Sequence, residues 1–361
     1  MDRLMPAFTS FYRGKTVLVT GHTGFKGGWL AAWLKLLGAQ VIGLALPPAT
    51  QPNLFDSICL SCGMLSVFGD IREPSVVSSV FRQHQPEIVF HNAAQPLVLR
   101  SYREPIETYA TNVMGTAHVL DAVRSNPSVR AVVVVTSDKC YENREWFWGY
   151  REDDALGGRD PYSSSKACAE LVSAAYRHSF FSREGTAAVA TARAGNVIGG
   201  GDWSEDRLVP DIVRGIASNQ PVVIRRPDAV RPWQHVLEPV RGYLRLAERL
   251  YHNREFAEAW NFGPRESDAV TVSEIAERLI AAWGAGELRV QPDPDAPQEA
   301  RYLRLNTNKA EHRLDWQPLL NLQQSVEWTS EWYRAYYRDP GSAAGKTAEQ
   351  VQRYSGMMPH G

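Results

Sequence analysis

Tyr162 and Lys166 stand four residues apart in the run Asp160-Pro-Tyr-Ser-Ser-Ser-Lys166. That spacing sets two side chains next to each other on one face of a helix. The run supplies its own helix start, because Asp160 suits the capping position and Pro161 the first turn. An ammonium beside a phenol favours the phenolate, so Lys166 is expected to pull the Tyr162 pKa below its usual value of about 10 and to let the phenol exchange a proton with an alcohol. This is the proton half of an alcohol oxidation. A solvated helix with Tyr and Lys at that spacing by chance would read the same, so the remaining polar groups have to decide.

A second set closes a strand. Ala131–Val135 is an unbroken apolar run of the kind buried at the centre of a parallel sheet, and Thr136-Ser137-Asp138-Lys139 follow it. Charged residues at the carboxyl end of a central strand lie where open α/β sheets take up ligands.

The elements that must position these groups begin near the N-terminus. A β-branched run, Lys15–Thr20, leads through Gly21-His-Thr-Gly24-Phe25-Lys-Gly27 into an apolar helix from Gly28 to Leu37, and a second strand runs from Gln40 to Leu46. This is a βαβ unit built round three glycines, whose use is close backbone approach to a pyrophosphate at the positive end of a helix. The second strand runs into Leu46-Pro-Pro-Ala-Thr50, with neither the acid that holds an adenosine ribose nor an Arg for a 2′-phosphate. NAD is therefore expected over NADP, its ribose held by few polar contacts. Asp70, at the end of the strand 65–68, could accept from an adenine amine, and the strand 87–90 opens into the small residues of His91-Asn-Ala93-Ala94-Gln95.

Strand and helix alternate in this way up to about residue 192, which gives an α/β fold, a Rossmann-type doubly wound parallel sheet. Residues 10–192 are read as the NAD-binding domain and 193–339 mainly as a smaller C-terminal substrate-binding lobe that could return elements to the first. Residues 340–361, poor in core formers, are expected to be mobile.

At 361 residues and 44% apolar content the chain can bury a large core. A net charge of −1 with mixed signs offers no field for nucleic acid or an anionic membrane. No apolar run approaches the roughly 20 residues of a membrane span, and Met-Asp-Arg-Leu-Met-Pro is no secretory leader, so a cytoplasmic location is expected. Four Cys are too few for a disulfide scaffold, Cys59-Leu-Ser-Cys62 lacks a second pair for zinc, and no His-Glu-x-x-His occurs, so no metal site is expected.

With Gly21, Gly24, Gly27, Asp70-Ile71, Asn92-Ala93-Ala94, Asn112, Ser137, Tyr162 and Lys166 in this order, the chain from about Lys15 to Tyr337 resembles an extended short-chain dehydrogenase/reductase. Within that superfamily it is similar to the sugar-nucleotide 4,6-dehydratases. Those carry Thr or Ser, then Asp, then Glu before the Tyr, whereas Lys139 here replaces the Glu. That replacement, with the glycine turn, Ala93-Ala-Gln95-Pro-Leu-Val and Gly199-Gly-Gly-Asp-Trp203, resembles the members acting on CDP-glucose.

The resemblance implies an internal redox cycle serving deoxysugar and polysaccharide biosynthesis of the O-antigen type. Tyr162, with Ser137 and Lys166, would take the 4-hydroxyl proton as NAD oxidises C4. Asp138 would then protonate the departing C6 hydroxyl, with Lys139 acting at C5 as base or enolate stabiliser. It also implies cofactor contacts from Gly21, Gly24, Phe25, Gly27, Asp70, Ile71, Ala93, Ala94, Asn112, Tyr162 and Lys166. Substrate contacts would come from Gln95, Arg193, Asn196, Arg207, Arg231, Asn261 and Tyr302, Arg being suited to pair two phosphate oxygens at once. A homodimer through the helices near 109–124 and 162–181 is implied as well. A 4-epimerase would share the fold and the Tyr–Lys pair but needs no acid beside C6, and a non-catalytic dinucleotide-binding regulator would not need the intact Ser137, Tyr162 and Lys166.

Overall fold

The apolar runs of the first half form strands β1 (Thr16–Thr20), β2 (Gln40–Ala45), β3 (Leu65–Phe68), β4 (Ile88–His91), β5 (Ala131–Val135) and β6 (Ala188–Ala194). The computed structural model describes residues 10–224, 226–291 and 302–359. In it these six strands and the late β10 (Ala259–Phe262) pair in parallel as one seven-stranded sheet of order β10-β6-β5-β4-β1-β2-β3. The order reverses at β1, which lies between β2 and β4, so the loops after β1 and β4 part there and leave a crevice at the carboxyl ends.

Alternation along each strand splits the core between two faces. Val17, Val19, Phe90 and Val133 point toward α1 (Phe25–Leu36), while Leu18, Val89, Val132 and Val134 point toward α2 (Pro74–His84) and α3 (Gly115–Arg124). α4 (Pro161–Ser179) packs on the second face through Val172 and Tyr176, and α5 (Leu237–His252) returns the chain to the first through Val240, Leu244 and Ala247. Each buried apolar side chain of this kind contributes about 1.5–3 kcal/mol over an exposed one.

Past β6 the chain builds smaller pieces. β7 (Asn196–Ile198), β9 (Val230–His235) and β11 (Ala269–Thr271) form a three-stranded sheet, and β8 (Val222–Ile224) pairs with β12 (Leu288–Val290). Two helices cover them, α6 (Val272–Trp283) and α7 (Leu322–Arg338). Since α5 and β10 belong to the large sheet, the two parts of the chain interleave.

One expectation fails here. The composition of residues 340–361 predicts a mobile tail, but Ala343–Ser355 forms a further helix, α8. Its few large residues are well placed. Tyr354 is fully buried, donates to Glu238 Oε2 at 2.5 Å, accepts from Arg241 Nε at 3.1 Å and meets the ring of Trp33 edge-on. Thr347 accepts from Trp332 Nε1 at 2.9 Å, and Gln350 donates to the Trp328 carbonyl at 2.7 Å. Cys59 and Cys62 are joined by a disulfide, which a count of four cysteines does not suggest. Among the described residues no helix is long and apolar enough to cross a membrane.

Candidate active site

The start of α4 and the end of β5 converge on Ser137. Asp160 caps α4 in a reciprocal box with Ser163, the Ser163 N–H reaching Asp160 Oδ1 at 2.9 Å, which fixes the first turn carrying Tyr162. Tyr162 and Lys166 lie on one buried face, as their spacing predicts. On the strand side Ser137 caps a single helical turn, Asp138–Cys140, accepting from the Lys139 N–H at 3.2 Å. Its hydroxyl donates to Asp138 Oδ1 at 2.9 Å and stands near enough to the Tyr162 phenol to lower its pKa. Phenol, serine and carboxyl thus form one linked set.

The electrostatics differ from the expectation at Tyr162. Burial pushes its phenol up to about 12; the Ser137 hydrogen bond and the Arg207 charge pull it down, while Asp138 pushes it further up. Lys166 turns its ammonium to the Val135 carbonyl at 3.4 Å, and burial lowers it to about 8 against the opposing pull of Cys140 and Glu170. The groups that draw the phenol down are therefore Ser137 and Arg207, where the helix spacing points to Lys166. Asp138 is raised, burial outweighing Lys139, Ser137 and Arg231, which hold it down. A carboxyl in that state suits a general acid. Asp138 Oδ2 would lie 2.9 Å from a Cβ at Gly195, so β6 and β7 are joined by the residue that leaves room for it.

The glycine turn adds an anion cradle and a cation. Gly21 has φ +75° and presses on the backbone of Ala93, where a side chain would come within 2.8 Å. Gly24 caps α1 without a side-chain bond, and the first turn of α1 has no acid, so its N–H groups are left for an anionic ligand. Phe25 opens the helix and lies toward Gly199, whose Cβ would stand 3.3 Å from its ring. The residues fit a pyrophosphate there. Lys26, which the sequence alone does not single out, points back into the site. Its Nζ is 3.4 Å from the Tyr243 hydroxyl, and burial, then Lys166 and Arg207, lower it to about 7 against the pull of Asp138. A lysine in the first turn of a helix, where the backbone is already positive, is the signal that could have found it.

The model of the GDP-mannose 4,6 dehydratase family matches residues 18–329. A CDP-glucose 4,6-dehydratase of Salmonella typhimurium is 50% identical over 334 residues, 91% of this chain and 93% of the relative. The chain belongs to this family. A dTDP-glucose 4,6-dehydratase of Xanthomonas campestris is 26% identical over 88% of the chain and 93% of its own length. Among solved structures, an epimerase of Methanothermobacter thermautotrophicus superposes with a TM-score of 0.79 at 24% identity, covering 92% of this chain and 96% of the other. A double mutant of dTDP-glucose 4,6-dehydratase from Streptomyces venezuelae, solved with NAD and DAU bound, superposes with a TM-score of 0.75 at 25% identity, covering 88% and 96%.

Of the family positions expected at a substrate, Asn196, Arg207 and Arg231 stand round the linked set. Asn196 follows Gly195 and pairs in register with Trp233 on β9, the strand that carries Arg231. Arg231 pulls on Asp138 and Arg207 on Tyr162, while Arg207 NH1 also bonds Asp202 at 3.0 Å. Tyr302 is half-buried, its ring 6.3 Å from that of Phe147 and its carbonyl held by Asn143.

Four residues expected at a ligand are bonded within the protein. Arg193 is buried and spends its guanidinium on Glu170 at 2.8 Å, the Tyr141 hydroxyl at 2.7 Å and the Glu152 carbonyl at 2.9 Å. Asn261 accepts from Tyr141 at 2.8 Å and donates to the carbonyls of Tyr150 and Asn306. Gln95 turns its amide onto Leu97 and Thr108. Both oxygens of Asp70 accept from Arg72, Oδ1 from its backbone N–H and Oδ2 from its guanidinium. Asn112 is a tie between layers, bonding the Gln95 backbone at 2.8 Å and Ser165 at the same distance. Ile71 is buried over Gly115, and Ala93 and Ala94 line the exit of β4, where Ala93 N–H bonds Thr20.

Proposed function

We propose that this chain is a CDP-glucose 4,6-dehydratase that converts CDP-D-glucose to CDP-4-dehydro-6-deoxy-D-glucose and water, with NAD as its cofactor. The observation that carries the reading is Asp138, a buried carboxyl of raised pKa hydrogen-bonded to Ser137, the serine that also lowers the Tyr162 phenol. A proton acceptor for an alcohol and a proton donor for a leaving hydroxyl stand together, which oxidation followed by elimination needs. The 50% identity with a relative of that name supports the choice of nucleotide.

The α1 N-terminus at Gly24, with Gly21, Gly27, Phe25, Ala93 and Ala94 about it, would hold the dinucleotide, and Tyr162 and Lys166 would face its reactive end. When bound, NAD supplies the temporary electron acceptor that lets the sugar be oxidised at C4 and reduced at C6 with no net change. The chain's own residues do the proton work. Tyr162, in its phenolate form beside Ser137, accepts the 4-hydroxyl proton. Lys139 either takes the C5 proton as a neutral amine or, charged, stabilises the enolate while another base takes it, and Asp138 gives its proton to the departing C6 oxygen. Asn196, Arg207, Arg231 and Tyr302 are assigned to the nucleotide diphosphate.

The same reading includes a homodimer and a cytoplasmic location, the product entering deoxysugar and lipopolysaccharide synthesis. Exposed Ile106, Met114 and Leu171, on neighbouring helical segments, support the dimer. Incubating the protein and NAD with CDP-, dTDP-, UDP- and GDP-linked sugars tests the reaction by mass. Loss of one water from CDP-glucose is expected. A product of unchanged mass would instead be epimerisation, and no product from any sugar would leave a dinucleotide-binding protein without this activity.

A further inference from the structure

A groove of about 690 Å³ lies on the small lobe between α6, α7 and α8, on elements that carry none of the residues placed at the active site. Four cations line it, Arg278 from α6, Arg334 and Arg338 from α7, and Lys346 from α8. Two of them are already answered. Arg278 pairs with Glu274 at 2.5 Å, and Lys346 bonds Glu331 at 3.2 Å and Glu349 at 2.8 Å. The other two are not. Arg334 reaches only the Ala282 carbonyl, at 3.4 Å, and Arg338 has no hydrogen-bond partner among the described residues.

The two uncommitted guanidiniums are four residues apart on α7, so they line one stripe of the wall and can grip neighbouring oxygens of one ligand. Ser330, one turn before Arg334, also lines the groove; it is 1% exposed and its buried hydroxyl has no hydrogen-bond partner. Ala281, Ala282 and Ala335 add small side chains to its lining. Small residues, two guanidiniums with no carboxylate partner and an unanswered hydroxyl form a receptacle for a compact anion with several oxygens. Two carboxylates also line it: Glu327, which accepts from Gln323 Nε2 at 2.9 Å, and Glu331, which pairs with Lys346 at 3.2 Å and Arg353 at 3.5 Å.

We propose that this groove is a second binding site, for a chain of two or more phosphates, free or carried by a nucleoside. Arg334 and Arg338 take the phosphate oxygens and Ser330 donates to one of them. A single phosphate engages one fork at a time and is held weakly.

Calorimetric titration of the full chain at low salt, with tripolyphosphate, CTP and inorganic phosphate as probes, tests this. Tripolyphosphate is expected to bind R334Q/R338Q at least about tenfold more weakly than the unsubstituted protein, and S330A several-fold more weakly, while turnover of nucleotide sugar stays as it was. Inorganic phosphate should bind at least about tenfold more weakly than tripolyphosphate. CTP binding equal to tripolyphosphate would mean that the chain of phosphates is the element read, and tighter binding that the nucleoside is held too. Should R334Q/R338Q melt early, R334K/R338K, which keeps both charges, must bind within about tenfold of the unsubstituted protein. Equal affinity for tripolyphosphate with and without the two arginines, phosphate as tight as tripolyphosphate, or failure of the lysine pair to bind would each overturn the site.

Discussion

Arg193 and Glu170 form a buried ion pair at 2.8 Å directly behind the candidate active site. Glu170 also accepts from Thr136, the residue before Ser137, and from Thr191 at 2.7 Å, and it sits one turn after Lys166 on α4. One carboxylate therefore ties the strand end, the helix of Tyr162 and β6 together. Removing Arg193 would leave that charge alone in the core, which costs about 3–5 kcal/mol. Arg193→Ala is expected to lower the unfolding free energy by that amount, read as a lower urea midpoint at an unchanged m value. Normal stability with only a raised KM would return Arg193 to the substrate.

Three buried imidazoles set a pH dependence of stability. Burial lowers His235 to about 3 and His22 to about 4, and burial together with the Lys166 charge lowers His91 to about 3. In the unfolded chain all three return to about 6.5. Between those values the unfolded state binds more protons, so the contribution is complete above pH 6.5 and is lost as pH falls toward the folded values. Each His adds up to about 1.4 kcal/mol per pH unit. The raised carboxyls of Asp138, Glu152 and Glu238, all lifted chiefly by burial, act with the opposite sign and blunt the slope. Urea midpoints at pH 7.5, 6.0 and 5.0 should fall stepwise, with a shallower fall in His235→Gln. A midpoint that holds steady to pH 5 would mean that these rings are charged or solvated in the folded protein.

What the sequence makes legible is local. The glycine turn, the apolar run of β5 and the Asp160-Pro161 helix start each declare an element within a few residues, and the chemistry of Ser137, Asp138, Tyr162 and Lys166 sits at their ends. What it hides depends on partners far along the chain. Arg193 and Asn261 look like ligand contacts until Glu170, Tyr141 and Tyr150 are seen to bond them within the protein. The C-terminal helix reads as polar because its anchors are one tyrosine and several small residues, and the Glu238 and Arg241 that receive Tyr354 lie more than a hundred residues earlier. Lys26 reads as a spacer between glycines because its neighbours, Tyr243 and Arg207, meet it only in the folded chain.

Tyr162 and Lys139 should fail at different points of the proposed reaction, which separates their roles. Tyr162→Phe removes the acceptor of the 4-hydroxyl proton and its link to Ser137, so no 4-keto sugar should form and turnover should drop by about 10² or more. Lys139 follows the acid Asp138 and helps hold its pKa down, so its side chain acts beside the elimination and away from the first proton transfer. Lys139→Met is expected to produce the 4-keto hexose and stall there, with water retained. In deuterated water the unsubstituted protein should place deuterium at C5 of the product, and the Met variant should not. Mass spectrometry of the sugar released on quenching reads all three outcomes. Dehydration by the Met variant at the normal rate would remove Lys139 from the elimination, and absence of the 4-keto hexose would move it to binding or to the first step.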